Sequence, residues 1–121
     1  MKMESFLLIS LSHILKTFNL SDEEKKKTER DQALEMILEA LSKNSKNAFL
    51  WFIKGYLEFS SQKYEKALED LNFSQTLIEE SNDKISEELI FLKGMALSYM
   101  HNYMEAAKQF FHLIYKKQNY V

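Results

Sequence analysis

The chain has 121 residues, of which 45% are hydrophobic and 28% charged, with a net charge of −2. That length holds one domain, and the composition is that of a folded chain rather than a disordered one. The absence of cysteine excludes disulfide frameworks and thiolate metal sites and fits a reducing, cytoplasmic setting, while the slight negative charge argues against a nucleic-acid binder held by phosphate contacts.

With no proline and only two glycines, the sequence has little of the turn punctuation that strands and hairpins need, so an all-α fold is expected. At the N-terminus, Met1-Lys2 followed by Phe6-Leu7-Leu8-Ile9 has the look of a secretion signal. Glu4, His13 and Lys16 interrupt it, however, and no small-residue cleavage site follows. The apolar run is also far short of the ~20 residues that cross a bilayer, so no membrane insertion is expected. Leu7, Leu11, Ile14 and Phe18 instead share one helical face, which predicts an amphipathic core helix over 4–18.

Asn19-Leu20-Ser21 breaks that helix, and Ser21 with Glu24 has the capping-box spacing. The second helix passes through Lys25-Lys26-Lys27, flanked by acids and read as a solvated face. It becomes amphipathic at Ala33, Leu34, Ile37, Ala40 and Leu41 and ends near residue 43 or 44. Asn47 is the expected N-cap of a third helix over 48–60. A tight turn leads to a fourth over 64–80, a break at Ser81-Asn82-Asp83 to a fifth over 84–100, and a short turn at His101-Asn102 to a sixth over 103–117. Short loops make neighbours antiparallel. The organisation expected is therefore one domain over 1–121, with a degenerate first hairpin in 1–44 and further hairpins in 47–80 and 84–118.

An internal repeat supports the hairpins. Phe52, Lys54, Gly55, Tyr64 and Ala67 recur 39 residues later as Phe91, Lys93, Gly94, Tyr103 and Ala106. Gly in a helix interior is unfavourable by ~1 kcal/mol relative to Ala, so Gly55 and Gly94 point to close approach of a second helix. Trp51-x3-Gly55, Tyr64 and Ala67-x3-Leu71, then Gly94, Tyr103 and Ala106-x3-Phe110, resemble the tetratricopeptide repeat. The resemblance extends over about residues 30–118 and upstream by inference, with Ala33-x3-Ile37 and Ala40 as a degenerate copy. Its period is about 34 residues, so this chain carries about five more per repeat, assigned to residues 79–85. Lys54 and Lys93 stand where the family has leucine; their stems are expected to cover apolar surface while the ammonium groups reach water.

The resemblance implies a short stack of antiparallel hairpins, with scaffolding roles for Gly55, Gly94, Tyr64, Tyr103, Ala67 and Ala106. It also implies a concave groove lined by the first helix of each repeat: Phe49, Phe52, Tyr56 and Phe59, then Phe91, Met95, Ser98 and Tyr99. Members that grip chaperone C-termini use Lys, Asn and Arg; Phe18, Asp22, Ile53, Glu88 and Leu92 occupy those places here, so that clamp is absent. The expected role is a protein–protein adaptor or scaffold that takes an apolar or helical peptide, in the manner of the repeat-type chaperones of secretion systems. The alternative is a structural subunit or homodimer, with Phe52, Phe59 and Phe91 covered by the N-terminal helix and contacts made by a final helix rich in Phe110, Phe111, Leu113, Ile114 and Tyr115. His13, His101 and His112 share no ligand spacing, Glu79-Glu80 and Glu87-Glu88 read as solvated helix ends, and no catalytic fingerprint is present. No enzyme activity, cofactor or metal is expected.

Overall fold

Side-chain caps and apolar spacing divide the chain into helices much as the sequence predicts. The computed structural model describes residues 3–19 and 23–118. Among them are six helices and no strand: α1 Met3–Asn19, α2 Glu23–Lys43, α3 Ala48–Ser60, α4 Tyr64–Glu80, α5 Glu87–Tyr99 and α6 Tyr103–Gln118. The Ser21 cap and Asp22 lie outside the described residues, as does the side chain of Phe18. Asn47 caps α3 as expected, its Oδ1 accepting from the Leu50 N–H at 3.0 Å.

The fifth helix begins later than residue 84. Ser86 takes an extended backbone conformation and its Oγ accepts from the Leu89 N–H at 3.2 Å, so the helix starts at Glu87. The 39-residue period comprises a 13-residue helix, a short turn at 61–63, a 17-residue helix and the linker 81–86. Helices α3, α4 and α5 end alike. Gln62, Asn82 and His101 adopt φ near +60°, and the N–H of each, with that of the residue after it, donates back to carbonyls of the last helical turn.

Helices α1 with α2, α3 with α4, and α5 with α6 form packed antiparallel hairpins, and α2 with α3 and α4 with α5 join them into a stack. One apolar core lies between the first two hairpins, around Ile14, Ala33, Ile37, Leu50, Ile53 and Leu57. A second, around Leu71, Leu89 and Leu92, joins the second hairpin to the third. Phe52 and Tyr56 pack against both. The pair His13–Glu29 adds a polar tie between α1 and α2.

The glycines mark the tightest approach within each hairpin. A Cβ on Gly55 would lie 2.8 Å from Leu71 Cδ2 and 2.9 Å from its Cγ, and 3.3 Å from the Ala67 carbonyl. On Gly94 it would lie 2.8 Å from the ring of Phe110. What fills the space over each glycine is therefore the large residue of the Ala-x3-Leu/Phe pattern, while Ala67 and Ala106 are themselves buried. Tyr64 packs as a scaffold residue between Phe59 and Tyr99, but Tyr103 is 61% exposed and meets the ring of its neighbour His101. The difference has a cause: Tyr64 receives Tyr99 from the next hairpin, and among the described residues no further helix reaches Tyr103.

The two repeat lysines are largely withdrawn from water, Lys93 buried and the Lys54 side chain 14% exposed. Lys54 Nζ lies 2.8 Å from Asp70 Oδ2 and 3.3 Å from Glu58 Oε1, with both carboxylate residues buried, so it ties α3 to α4 through a charged network. Burial opposes the Lys54 charge, but the hydrogen bond and charge of Asp70, with those of Glu58, outweigh it and raise its pKa. Burial, joined by the charges of Glu58 and Glu69, pushes the Asp70 carboxyl up against the pull of Lys54. Lys93 has a different environment: it donates to Gln75 Oε1 at 2.5 Å, and burial lowers its pKa against a weaker opposing pull from Glu79.

Two stability predictions follow from these contacts. Gly55→Ala should destabilise the fold by about 1 kcal/mol, because overpacking against the fully buried Leu71 outweighs the helix-propensity gain; chemical denaturation measures this directly. Lys54→Leu and Lys93→Leu should have opposite signs although they occupy equivalent repeat positions. Removing Lys54 strands two buried carboxylates and should remove about 3–5 kcal/mol, whereas Lys93→Leu relieves a buried ammonium and should stabilise. In Lys54→Leu the Asp70 pKa rises further above its unfolded value, so the folded state binds the extra proton. The deficit should therefore shrink as pH is lowered from neutral to about 5, read by urea midpoints at each pH.

Candidate functional site

Helical spacing delivers side chains from three helices to one concave surface. Phe52, Tyr56 and Phe59 of α3 stand at i, i+4 and i+7, and Phe91 and Met95 of α5 at i and i+4. Phe110, Leu113 and Ile114 of α6 form the opposite wall, with Leu92 between the helices. These residues enclose an open groove of about 800 Å³ whose lining is chiefly apolar carbon. Phe91 and Phe110 approach at 5.8 Å between ring centroids, holding the α5 and α6 walls together.

A smaller cavity of about 450 Å³ adjoins the groove, with Phe52 and Glu88 common to both. Phe49 lines it, together with Ser74 and Ile78 of α4 and Asp83, Lys84 and Ser86 of the linker. The extra residues of the repeat period thus build a polar side to this cavity. Among the described residues, the only acidic or basic side chains lining the larger groove are Glu87 and Glu88, in the first turn of α5. The positive end of the helix dipole favours negative charge there.

Of the side chains singled out from the sequence, Phe52, Tyr56, Phe59, Phe91 and Met95 share the groove, and Phe49 belongs to the adjoining cavity. Tyr99 and Ser98 line neither. Tyr99 stacks on Tyr64 at 4.8 Å and meets Phe59 edge-on at 5.7 Å, closing one end of the α3–α5 seam as a packing residue. Helix α1 packs on α2, and none of its described residues lines the groove. Phe91 is 52% exposed.

Sequence reasoning missed the α6 wall. Phe110 carried a signal as the last residue of the Ala-x3-Phe pattern, and Leu113 and Ile114 follow it at i+3 and i+4, but a helix apolar on several faces does not announce which one meets the groove. Glu87 and Glu88 are exposed helix-end residues, as expected, yet they also form the groove rim. At the positions of the chaperone-tail clamp, Ile53 and Leu92 are both buried in the core. No described helix is long and apolar enough to cross a membrane, and no group of three or more His, Cys, Asp or Glu among the described residues is placed to hold a metal ion.

Groove wall and core should be separable by mutation. Phe91→Ala should destabilise by about 1 kcal/mol or less, since half its surface already faces solvent, whereas Leu92→Ala should remove about 2–5 kcal/mol. Paired urea titrations of the two variants test the division. No protein-family model matches the chain, and comparison with curated proteins and with solved structures gives no match either.

Proposed function

We propose that the chain is a non-catalytic protein–protein interaction module of the tetratricopeptide type, an adaptor or scaffold that holds an apolar or helical segment of a partner in the groove of α3, α5 and α6. The observation that carries this reading is the groove itself: an open concavity of about 800 Å³ walled by aromatic and aliphatic side chains. Exposed apolar surface in a concave site of this size suits the burial of a partner's apolar stripe. The family assignment draws support from Gly55 over Leu71 and Gly94 over Phe110, the close contacts for which the repeat motif reserves small residues. A chaperone that shields apolar segments before secretion is one form of the same role. A cytoplasmic setting belongs to the proposal, on the cysteine-free composition.

A second reading has its own observation. Met104, Phe111, Ile114 and Tyr115 leave an exposed apolar stripe along α6, with Phe111 67% exposed. A structural subunit or homodimer would use that stripe.

The discriminating experiment pairs Phe91→Ala/Met95→Ala with Phe111→Glu. Fluorescence anisotropy with a panel of synthetic amphipathic helical peptides should show at least a tenfold loss of affinity for the groove variant, at retained helicity, and little change for Phe111→Glu. Equal binding by wild type and groove variant would remove the groove from the account. A light-scattering dimer dissociated by Phe111→Glu alone would establish the second reading instead.

A further inference from the structure

The groove is asymmetric in charge, and this bears on what it holds; the inference rests on the groove reading above. Its apolar walls run from Phe59 and Met95 to a rim formed by Glu87 and Glu88, the only acidic or basic lining residues among those described. Asp83 extends the acidic character into the adjoining cavity, where Lys84 is the one basic lining residue. A partner that covers the apolar surface also excludes water from the rim. A carboxylate deprived of water without a compensating charge is strongly unfavourable, so an uncharged or acidic segment is penalised there. A lysine or arginine at the same place lays its aliphatic stem along Phe91 and brings its charge to the carboxylates.

We propose that the groove selects an amphipathic helix of another protein whose apolar stripe is flanked by basic residues, with Glu87 and Glu88 as the specificity-determining contacts. This is the opposite charge preference from a clamp for acidic C-terminal tails. The linker 81–86 has a role in the same scheme. By delaying the start of α5 to Glu87, it places the first helical turn, and with it both carboxylates, at the mouth of the groove.

The test uses two synthetic amphipathic helices that share one leucine stripe, one with lysines at both ends and one with glutamates at both ends. Titrated against the whole chain, the lysine-flanked peptide should bind about tenfold tighter, the sum of two exposed-to-half-buried ion pairs and the repulsion avoided. The preference should shrink at about 0.5 M salt. It should reverse in Glu87→Lys/Glu88→Lys and persist in Glu35→Lys/Glu65→Lys, which makes the same change in net charge at exposed positions away from the groove. Equal binding of both peptides, still lost in Phe91→Ala/Met95→Ala, would overturn the charge selection and leave the groove reading standing. Loss of preference in the Glu35/Glu65 control would assign it to overall charge and overturn it too. Binding indifferent to Phe91 and Met95, or none at all, would remove the groove reading and the selection together. Self-association that the lysine-flanked peptide fails to displace would assign the groove to a second copy of the chain and overturn the proposal.

Discussion

Everything in this structure depends on how closely two helices of a hairpin approach one another. Within α3–α4 and α5–α6 that distance is set by a glycine facing a large apolar residue, Gly55 against Leu71 and Gly94 against Phe110, with no room for even one methyl group without displacement. The close contact does two things at once. It fixes the spacing of the hairpin's two helices, and it holds the ring of Phe110 against α5 where it also serves as groove wall. Scaffold and site therefore share an atom group, and the groove's shape is a consequence of the hairpin register rather than of a separate loop.

Charge reinforces the same register unequally. Lys54 binds Asp70 across the α3–α4 seam with Glu58 beside it, so the second hairpin has a polar lock with all its members largely withdrawn from water. Such a lock contributes little net stability over an apolar alternative, but breaking it is strongly unfavourable, which discriminates against a slipped pairing of α3 with α4. Lys93 repeats the sequence position without the carboxylates and settles for Gln75. The third hairpin is thus held by apolar contact, and its second helix leaves more carbon exposed.

Unfinished packing is concentrated toward α5 and α6. The cores between successive hairpins consume faces of α2, α3 and α4 and one face of α5, whereas Phe91, Phe111, Ile114 and Tyr115 remain largely exposed. In a stack of hairpins each unit buries the face of its neighbour, so a face with no neighbour among the described residues is available to a partner. The groove and the outer stripe of α6 meet at Ile114, which lines one and belongs to the other.

The helices and their pairing were legible in the sequence because they follow from local rules. Apolar spacing, Asn47 as a cap and the recurrence of Gly, Tyr and Ala are read within a turn or two of the residue concerned, and all-α antiparallel hairpins follow from them. The start of α5 was less legible, because Ser86 competes with Asp83 for the capping role and only the backbone decides. Five of the aromatic and sulfur-bearing groove residues could be named because one helical face places them together. Three features came from tertiary structure alone: the α6 wall, the stacking of Tyr99 on Tyr64, and the withdrawal of both repeat lysines from most of the solvent. Each depends on which face of one helix meets another across many residues of intervening chain. Spacing within a helix defines its faces, but the neighbour that covers a face is set by the packing of the whole stack.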